Sequence, residues 1–423
     1  MISKEILKEV MLENQEEIMA HQIIKRDVKI DDFSNYVLVG VRRCGKSFIL
    51  YDRIQQLLKE GYGWDEIVYI NFEDERLDGM LLEDLNTILE VHGSLSNKKP
   101  MLFLDEIQII DGWEKFVRRL SDNKYKVVVT GSNSKMLSLE VASKLGGRFI
   151  IKEIYPFSFN EFLRAHGLNE DLSVQLSTTK GRSAIMSCYE SYFLYGGFPE
   201  CIGLKSKRDY LLSLFQKVYV SDIAIRNNIE NIRALRVLFK KIAESIKQPI
   251  SITRLTNIIS SMGVKVGKST TSNYIEYAKD AYLLLGVSNI NDGITEQTSN
   301  QKYYMIDGGI ISLLTIDART SLLENIVAID LIRKYGKEDA VFYYNKNIEI
   351  DFYVPDQELA IQVSYSISES SATYEREISA LLKLSKFLPT QRLVVITYDE
   401  EKTISYGDKT IEVIPAWKWL LSI

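Results

Sequence analysis

The sequence predicts an α/β fold. A parallel sheet with helices on both faces comes first, then a helical stretch, a small three-helix domain and a second α/β unit. Three observations carry this. Short apolar runs at 36–39, 67–70, 101–104, 127–129 and 149–151 alternate with helical patterns at about 46–60, 79–91, 112–121 and 134–145. Fully apolar strands separated by helices belong to a sheet buried on both faces. The first run opens into Gly40-Val-Arg-Arg-Cys-Gly-Lys-Ser47, which has the G-x-x-x-x-G-K-[ST] spacing of a phosphate-binding loop between strand and helix. Finally, alternation returns near the end of the chain. A helix at 322–332 precedes strands at 341–344, 348–354 and 359–365, a helix near 372–387, and strands at 393–397 and 411–414.

The bulk numbers fit a soluble globular protein of several domains: 423 residues, 46% hydrophobic, 26% charged. A net charge of −5 argues against a globally basic nucleic-acid binder but leaves room for a local basic patch. Cys44, Cys188 and Cys201 show no metal-ligand spacing, and His21, His92 and His166 are scattered, so neither a disulfide framework nor histidine-zinc chemistry is expected. No apolar run is long enough for a membrane helix, and the charged start of the chain is unlike a secretory signal. The expectation is a cytoplasmic protein without a membrane partner.

Residues 1–35 read as a helical lead-in, with Ile6, Leu7, Val10 and Met11 at helical spacing. Arg26 reads as a solvated surface charge, or as a neighbour of a nucleotide base. In the loop, Gly40 and Gly45 let the backbone curl so that successive N–H groups face one concavity. The following helix adds its unpaired N–H groups and the positive end of its dipole. Lys46 can reach the β- and γ-phosphates, and the Ser47 hydroxyl can coordinate Mg²⁺. Arg42, Arg43, Cys44 and Phe48 belong to the same cradle. Cys44 is a small loop residue or a redox-sensitive thiol.

The run at 101–104 ends in Asp105-Glu106. Asp105 at a strand tip can hold Mg²⁺ through water, and Glu106 can orient or deprotonate an attacking water. Thr130, Ser132 and Asn133 end another strand. They could contact a γ-phosphate or position the water, or they could serve only as turn residues. Arg148 could neutralise charge on the transferred phosphate, in its own chain or a neighbour's, or lie on the surface. The expected ligands are therefore ATP and Mg²⁺.

Gly40–Ser47, Leu104-Asp-Glu106, Thr130-Gly-Ser-Asn133, Leu145-Gly-Gly-Arg148, Tyr155-Pro-Phe-Ser-Phe-Asn-Glu-Phe162 and Gly196-Gly-Phe-Pro199 together resemble the AAA+ ATPases of bacteria and archaea that carry an uncharacterised C-terminal domain. The resemblance implies that a further strand separates the Asp105 strand from the Gly40 strand. It also implies that residues 196–199 belong to a helical lid, and it is compatible with a homo-oligomer. The organisation expected is an ATPase core over 1–154, a helical lid over 155–225, a winged-helix-like domain over 226–300 and a restriction-endonuclease-like domain over 301–423.

Within 226–300, three helical segments in succession resemble a winged helix, whose third helix would enter a DNA groove. Ten Lys/Arg against six Asp/Glu give this segment +4 in a chain that is −5 overall. DNA contact through Lys265, Lys268 and Ser269–Ser272 is one reading, and packing or protein docking is the other. In 301–423, the order helix, three strands, helix, strand is that of restriction-endonuclease-like nucleases, which hold a divalent metal with acids and an acid-x-lysine. Glu324 and Asp351 stand at plausible positions, but Gln362 replaces the acid and Ser364 the lysine, so nuclease activity is not expected. Lys346 is an out-of-place lysine that nothing in the sequence supports as a substitute. The functional expectation is ATP hydrolysis driving or switching a change that acts on DNA or an unknown protein partner, with a nucleotide-gated binding module of little turnover as the alternative.

Overall fold

The computed structural model describes residues 2–132, 139–168, 172–336, 340–367 and 372–422. The chain forms two compact units, Met1–Tyr155 and Pro156–Ile423.

The first unit runs α1 (Lys4–Ala20), β1 (Asn35–Val39), α2 (Lys46–Lys59), β2 (Ile67–Asn71), α3 (Leu85–Leu95), β3 (Met101–Asp105), α4 (Trp113–Asp122), β4 (Val127–Gly131), α5 (Leu139–Leu145), β5 (Phe149–Glu153). Its five strands are all parallel, in the order β2-β3-β4-β1-β5. β4 therefore separates β3 from β1, the arrangement the family resemblance implied. Val37, Leu38, Val39, Leu102, Phe103, Leu104, Val127 and Val129 have no exposed surface, as expected of a sheet covered on both faces. α3 starts six residues later than its apolar pattern suggests. Gly79 adopts φ +76°, and the Asp84 carboxylate accepts the Leu81 N–H at 3.1 Å, which holds the preceding residues in a turn.

The second unit begins with α6 (Phe159–Ala165), α7 (Leu172–Ser177) and α8 (Thr179–Tyr195). Ser158 and Glu161 form a reciprocal capping box at the start of α6. α9 (Lys207–Lys217) widens into a π-helical run over Val218–Ile225. Then come α10 (Ile232–Glu244), β6 (Ile250–Ser251), α11 (Ile252–Ser261), α12 (Lys268–Asp280), β7 (Leu284–Asn289), α13 (Ile294–Ser299), β8 (Asn300–Met305), α14 (Gly308–Leu314) and α15 (Arg319–Tyr335). The unit closes with β9 (Phe342–Asn345), β10 (Glu349–Val354), β11 (Leu359–Val363), α16 (Ala372–Leu384), β12 (Arg392–Thr397), β13 (Lys402–Tyr406), β14 (Lys409–Pro415) and α17 (Ala416–Leu421).

Its strands form one mixed nine-stranded sheet, β13-β14-β12-β11-β10-β9-β7-β8-β6. The parallel pairing of β7 with β9, Ser288 opposite Phe342, joins the hairpin strands to the C-terminal ones. Residue 300, where the sequence suggested a boundary, opens β8 inside this sheet. β13 escaped the sequence reading because it is an edge strand with its residues mostly exposed and no apolar run.

The Gly196-Gly197 pair does more than turn the chain. The Gly197 N–H donates to Oδ2 of Asp307 at 2.7 Å and the Gly309 N–H to Oδ1 at 2.8 Å. A Cβ on Gly196 would stand 1.7 Å from Oδ1 of Asp307. Only glycine permits that approach.

Candidate functional site

Strand register gathers the site in the first unit. Asn71 pairs with Asp105 at the ends of β2 and β3, and Val39 with Gly131 at the ends of β1 and β4. The residues that follow, Gly40, Glu106 and Ser132, therefore emerge at one sheet edge, the carboxyl edge where open α/β sheets bind ligands.

The loop is built by close approach. A Cβ on Gly40 would lie 2.1 Å from the Ile154 carbonyl oxygen, so this position admits no side chain. Gly45 has φ +96° and Arg43 φ +65°, which bend the backbone into the curl. Among the described residues no side chain caps the start of α2, which leaves its first N–H groups for a ligand. Lys46 is buried, and its Nζ donates to the Gly40 and Val41 carbonyls at 3.2 and 3.3 Å. It also pairs with Oε1 of Glu106 at 3.3 Å.

The acidic pair is fixed from several sides. Asp105 accepts the Tyr69 hydroxyl at 2.8 Å, the Thr130 hydroxyl, and the Ser47 hydroxyl. Glu106 takes φ +51°, a conformation that costs a non-glycine residue about 1–3 kcal/mol. Its N–H donates to Thr130 Oγ1 at 2.9 Å, and its Oε2 accepts Gln108 Nε2 at 2.5 Å. Burial, then the charge of Glu106, raises the Asp105 carboxyl above its usual range. Burial also acts to raise Glu106, but Lys46, Gln108 and Arg42 outweigh it and keep Glu106 below the ordinary glutamate value. Burial works against charge on Lys46, and Glu106 and Asp105 more than restore it. The site therefore holds an ionised carboxylate beside a charged ammonium.

The other expected residues divide. Thr130 faces the acidic pair and is fully buried. Ser132 is buried, and its hydroxyl has no hydrogen-bond partner among the described residues. Asn133 lies outside the described residues. Arg42 pairs with Glu73 at 2.7 Å. Phe48 is exposed and packs against His21 and Tyr51, with ring centroids 5.1 and 5.4 Å apart. Cys44 is wholly buried, and burial pushes its thiol up, which disfavours the thiolate that oxidation requires. Arg148 is not at this edge. It precedes β5 at the amino end, pairing with Asp122 at 2.6 Å, a strand length of ~13 Å away.

Sequence reasoning misplaced one contributor and missed two. Arg26 is neither solvated nor free for a base. It is buried, and it donates to the carbonyls of Cys44 and Tyr155 at 2.8 Å each, pinning the loop to the end of β5. Tyr69 holds Asp105, and Gln108 holds Glu106. None of the three stands in a recognisable motif.

In the second unit, Glu324 and Asp351 are brought together, with Gln362 beside them. Gln362 is spent on the backbone: it accepts the Asp351 N–H and donates to the Glu349 carbonyl, both at 2.9 Å. Ser364 bonds the Ser366 carbonyl at the rim. The cation between the acids is Lys302, at 3.2 Å from Glu324 and 3.0 Å from Asp351. The Lys346 N–H bonds the Ile348 carbonyl in the turn between β9 and β10.

A five-stranded parallel sheet, a glycine-bounded loop entering an uncapped helix, and an acidic pair beyond an intervening strand define a P-loop ATPase of the AAA class. Residues 32–163 match the family model described as AAA domain, and residues 186–335 match one described as a domain of unknown function (DUF8612). The chain is 36% identical to the uncharacterized protein MJ1544 of Methanocaldococcus jannaschii, covering 100% of this chain and 97% of that one. An uncharacterized protein of Haemophilus influenzae is 29% identical over 91% of this chain and 94% of its own. The chain belongs to the family of AAA-domain ATPases that the archaeal relative represents. Among solved structures, the Walker-type ATPase PABY2304 of Pyrococcus abyssi is similar at 15% identity and TM-score 0.38, over 75% of this chain and 96% of that one. The ORC1 protein of Aeropyrum pernix, solved in complex with DNA, is similar at 14% identity and TM-score 0.31, over 73% and 89%. Both likenesses are too loose to carry an argument. Among the described residues, no helix is long and apolar enough to cross a membrane.

Proposed function

We propose that this protein hydrolyses ATP with Mg²⁺ and uses the cycle to drive or switch a change acting on DNA or a protein partner. The Lys46–Glu106 pair carries the reading. A P-loop protein that only binds nucleotide has no need of an ionised carboxylate beside its phosphate-binding lysine. The loop N–H groups, Lys46 and the Ser132 hydroxyl, which has no partner among the described residues, would bind the phosphates. Ser47 and Asp105 would hold Mg²⁺, which supplies charge neutralisation on the phosphate oxygens. Glu106 would orient the attacking water and take its proton. Phe48, with His21 behind it, offers an aromatic surface for the base.

Glu106 and the phosphates compete for Lys46. Glu106→Gln is therefore expected to abolish turnover and tighten ATP binding, whereas Lys46→Ala abolishes both. ATP turnover and nucleotide binding, measured for wild type and these two variants, test the reading. A wild type that binds ATP but never turns it over, with or without double-stranded DNA, would leave only the nucleotide-gated binding module.

We assign the DNA arm to residues 226–300, read as a winged helix with α12 as its recognition helix. Lys265, Lys268 and Ser269 are exposed where α12 begins, as a phosphate contact requires. Binding that weakens steeply with salt and is lost in Lys265→Ala/Lys268→Ala supports this arm, and salt-independent or absent binding removes it.

A further inference from the structure

We infer that the ammonium of Lys302 is a resident cation, occupying the place where nuclease chemistry would need a divalent metal. The acidic centre of the second unit is thereby a metal-independent joint.

The centre lies at the floor of a cleft of about 590 Å³ that Glu324, Asp351, Gln362 and Ser364 help to line. Lys302 comes from β8, Glu324 from α15 and Asp351 from β10. Lys302 has no exposed surface, and Glu324 and Tyr304 are buried with it. Its Nζ lies 3.0 Å from Oδ1 of Asp351, 3.2 Å from Oε1 of Glu324 and 3.8 Å from Oε1 of Glu349.

Two further hydrogen bonds fix the acids. Oδ2 of Asp351 accepts the Val363 N–H at 2.9 Å, and Oε1 of Glu324, the oxygen that faces Lys302, also accepts the Tyr304 hydroxyl at 2.9 Å. Glu377, the next acid in the cleft, pairs with Arg376 at 2.5 Å. A divalent cation bridging Glu324 and Asp351 would sit 2.0–2.6 Å from their oxygens. That is within roughly an ångström of the position the ammonium holds, and two cations cannot share it. Among the described residues, no group of three or more His, Cys, Asp or Glu is disposed to hold a metal. Gln362 contributes no charge, and its amide already staples β10 to β11.

The consequence is structural. One buried cation neutralises acids from two other elements, so β8, α15 and β10 are held as one body. A buried ion pair that loses one partner leaves a charge uncompensated in the interior, so removal of Lys302 destabilises the unit.

The test uses the full chain without nucleotide and reads Mn²⁺ binding by electron paramagnetic resonance, with thermal unfolding alongside. Wild type and Asp351→Asn are expected to bind the same number of Mn²⁺ ions. Lys302→Met is expected to lower the unfolding temperature by on the order of 10 °C and to gain one Mn²⁺ per chain, with Mn²⁺ restoring part of the loss. Lys302→Met/Asp351→Asn should lose the gained ion. The inference is overturned if Asp351→Asn removes an Mn²⁺ ion that wild type binds. It is also overturned if Lys302→Met folds and gains none. Should Lys302→Met fail to fold, the comparison of wild type with Asp351→Asn decides alone.

Discussion

The hydroxyl of Thr130 accepts the backbone N–H of Glu106 at 2.9 Å while donating to the carboxylate of Asp105. One fully buried side chain at the end of β4 thus sets both the backbone angle of Glu106 and the orientation of Asp105. Thr130→Val keeps the shape and removes the hydroxyl. It leaves a buried N–H unsatisfied, at about 1–3 kcal/mol. In the proposed reaction the acids act on the reacting groups and not on most of the nucleotide, so ATP turnover should fall by roughly tenfold or more while nucleotide affinity changes by less than about threefold. Steady-state turnover and equilibrium nucleotide binding separate the two effects. Equal losses in both would mean that Thr130 supports the loop as a whole.

Arg26 acts on the other side of the same loop. Its two hydrogen bonds reach the carbonyls of Cys44 and Tyr155, and each charge-assisted bond is worth about 1.5–3 kcal/mol. Arg26→Met retains the apolar stem and loses both. Nucleotide affinity should weaken by about tenfold and the unfolding temperature should drop, with kcat less affected than KM. An unchanged affinity would show that the glycines alone hold the curl.

These two residues mark where the sequence stopped being readable. Gly40–Ser47 and Asp105-Glu106 were legible because their chemistry is local: a fixed spacing at a strand end is enough to place them. Thr130 was read as a contact for phosphate or as a turn residue, because nothing in a strand tip says that its hydroxyl points back at the neighbouring strand. Arg26 finds partners 18 and 129 residues away, and Lys302 finds its acids 22 and 49 residues away. No periodicity records such pairings. The same limit applies to the acidic centre of the second unit. The loss of charge at Gln362 and Ser364 was visible in sequence, whereas the cation that answers the remaining acids comes from a different strand.

Arg148 lies at the amino edge of β5, and the loop lies at the carboxyl edge of β1. Within one chain it cannot touch a phosphate held by Lys46. Arg148→Ala should therefore leave nucleotide affinity within about twofold and leave turnover at high dilution unchanged. Turnover measured across a range of protein concentrations completes the test. A loss confined to high concentration assigns the arginine to a neighbouring chain, and a loss at every dilution would contradict the placement described here.

Asp307 gives the clearest dependence of stability on pH. Burial pushes its carboxyl up to about 6, against the Gly197 and Gly309 N–H groups that favour the charged form. In the unfolded chain it would titrate near the ordinary 3.8. Between these values the folded chain binds the proton more tightly than the unfolded one. Stability from this group is thus fully present below the unfolded value and is lost as pH rises through the folded one. The shift corresponds to at most about 3 kcal/mol. Asp307→Asn removes the titration while keeping an acceptor for a glycine N–H. Unfolding by urea at pH 4 and pH 7 should show wild type losing about 1–3 kcal/mol more than the variant across that interval. The comparison of slopes cancels the acids common to both proteins. It also cancels any fixed cost of turning an amide toward the second N–H. Parallel slopes would mean that the glycine N–H groups hold Asp307 ionised throughout, and that the Gly196-Gly197 turn docks a charge and not a proton-bearing acid.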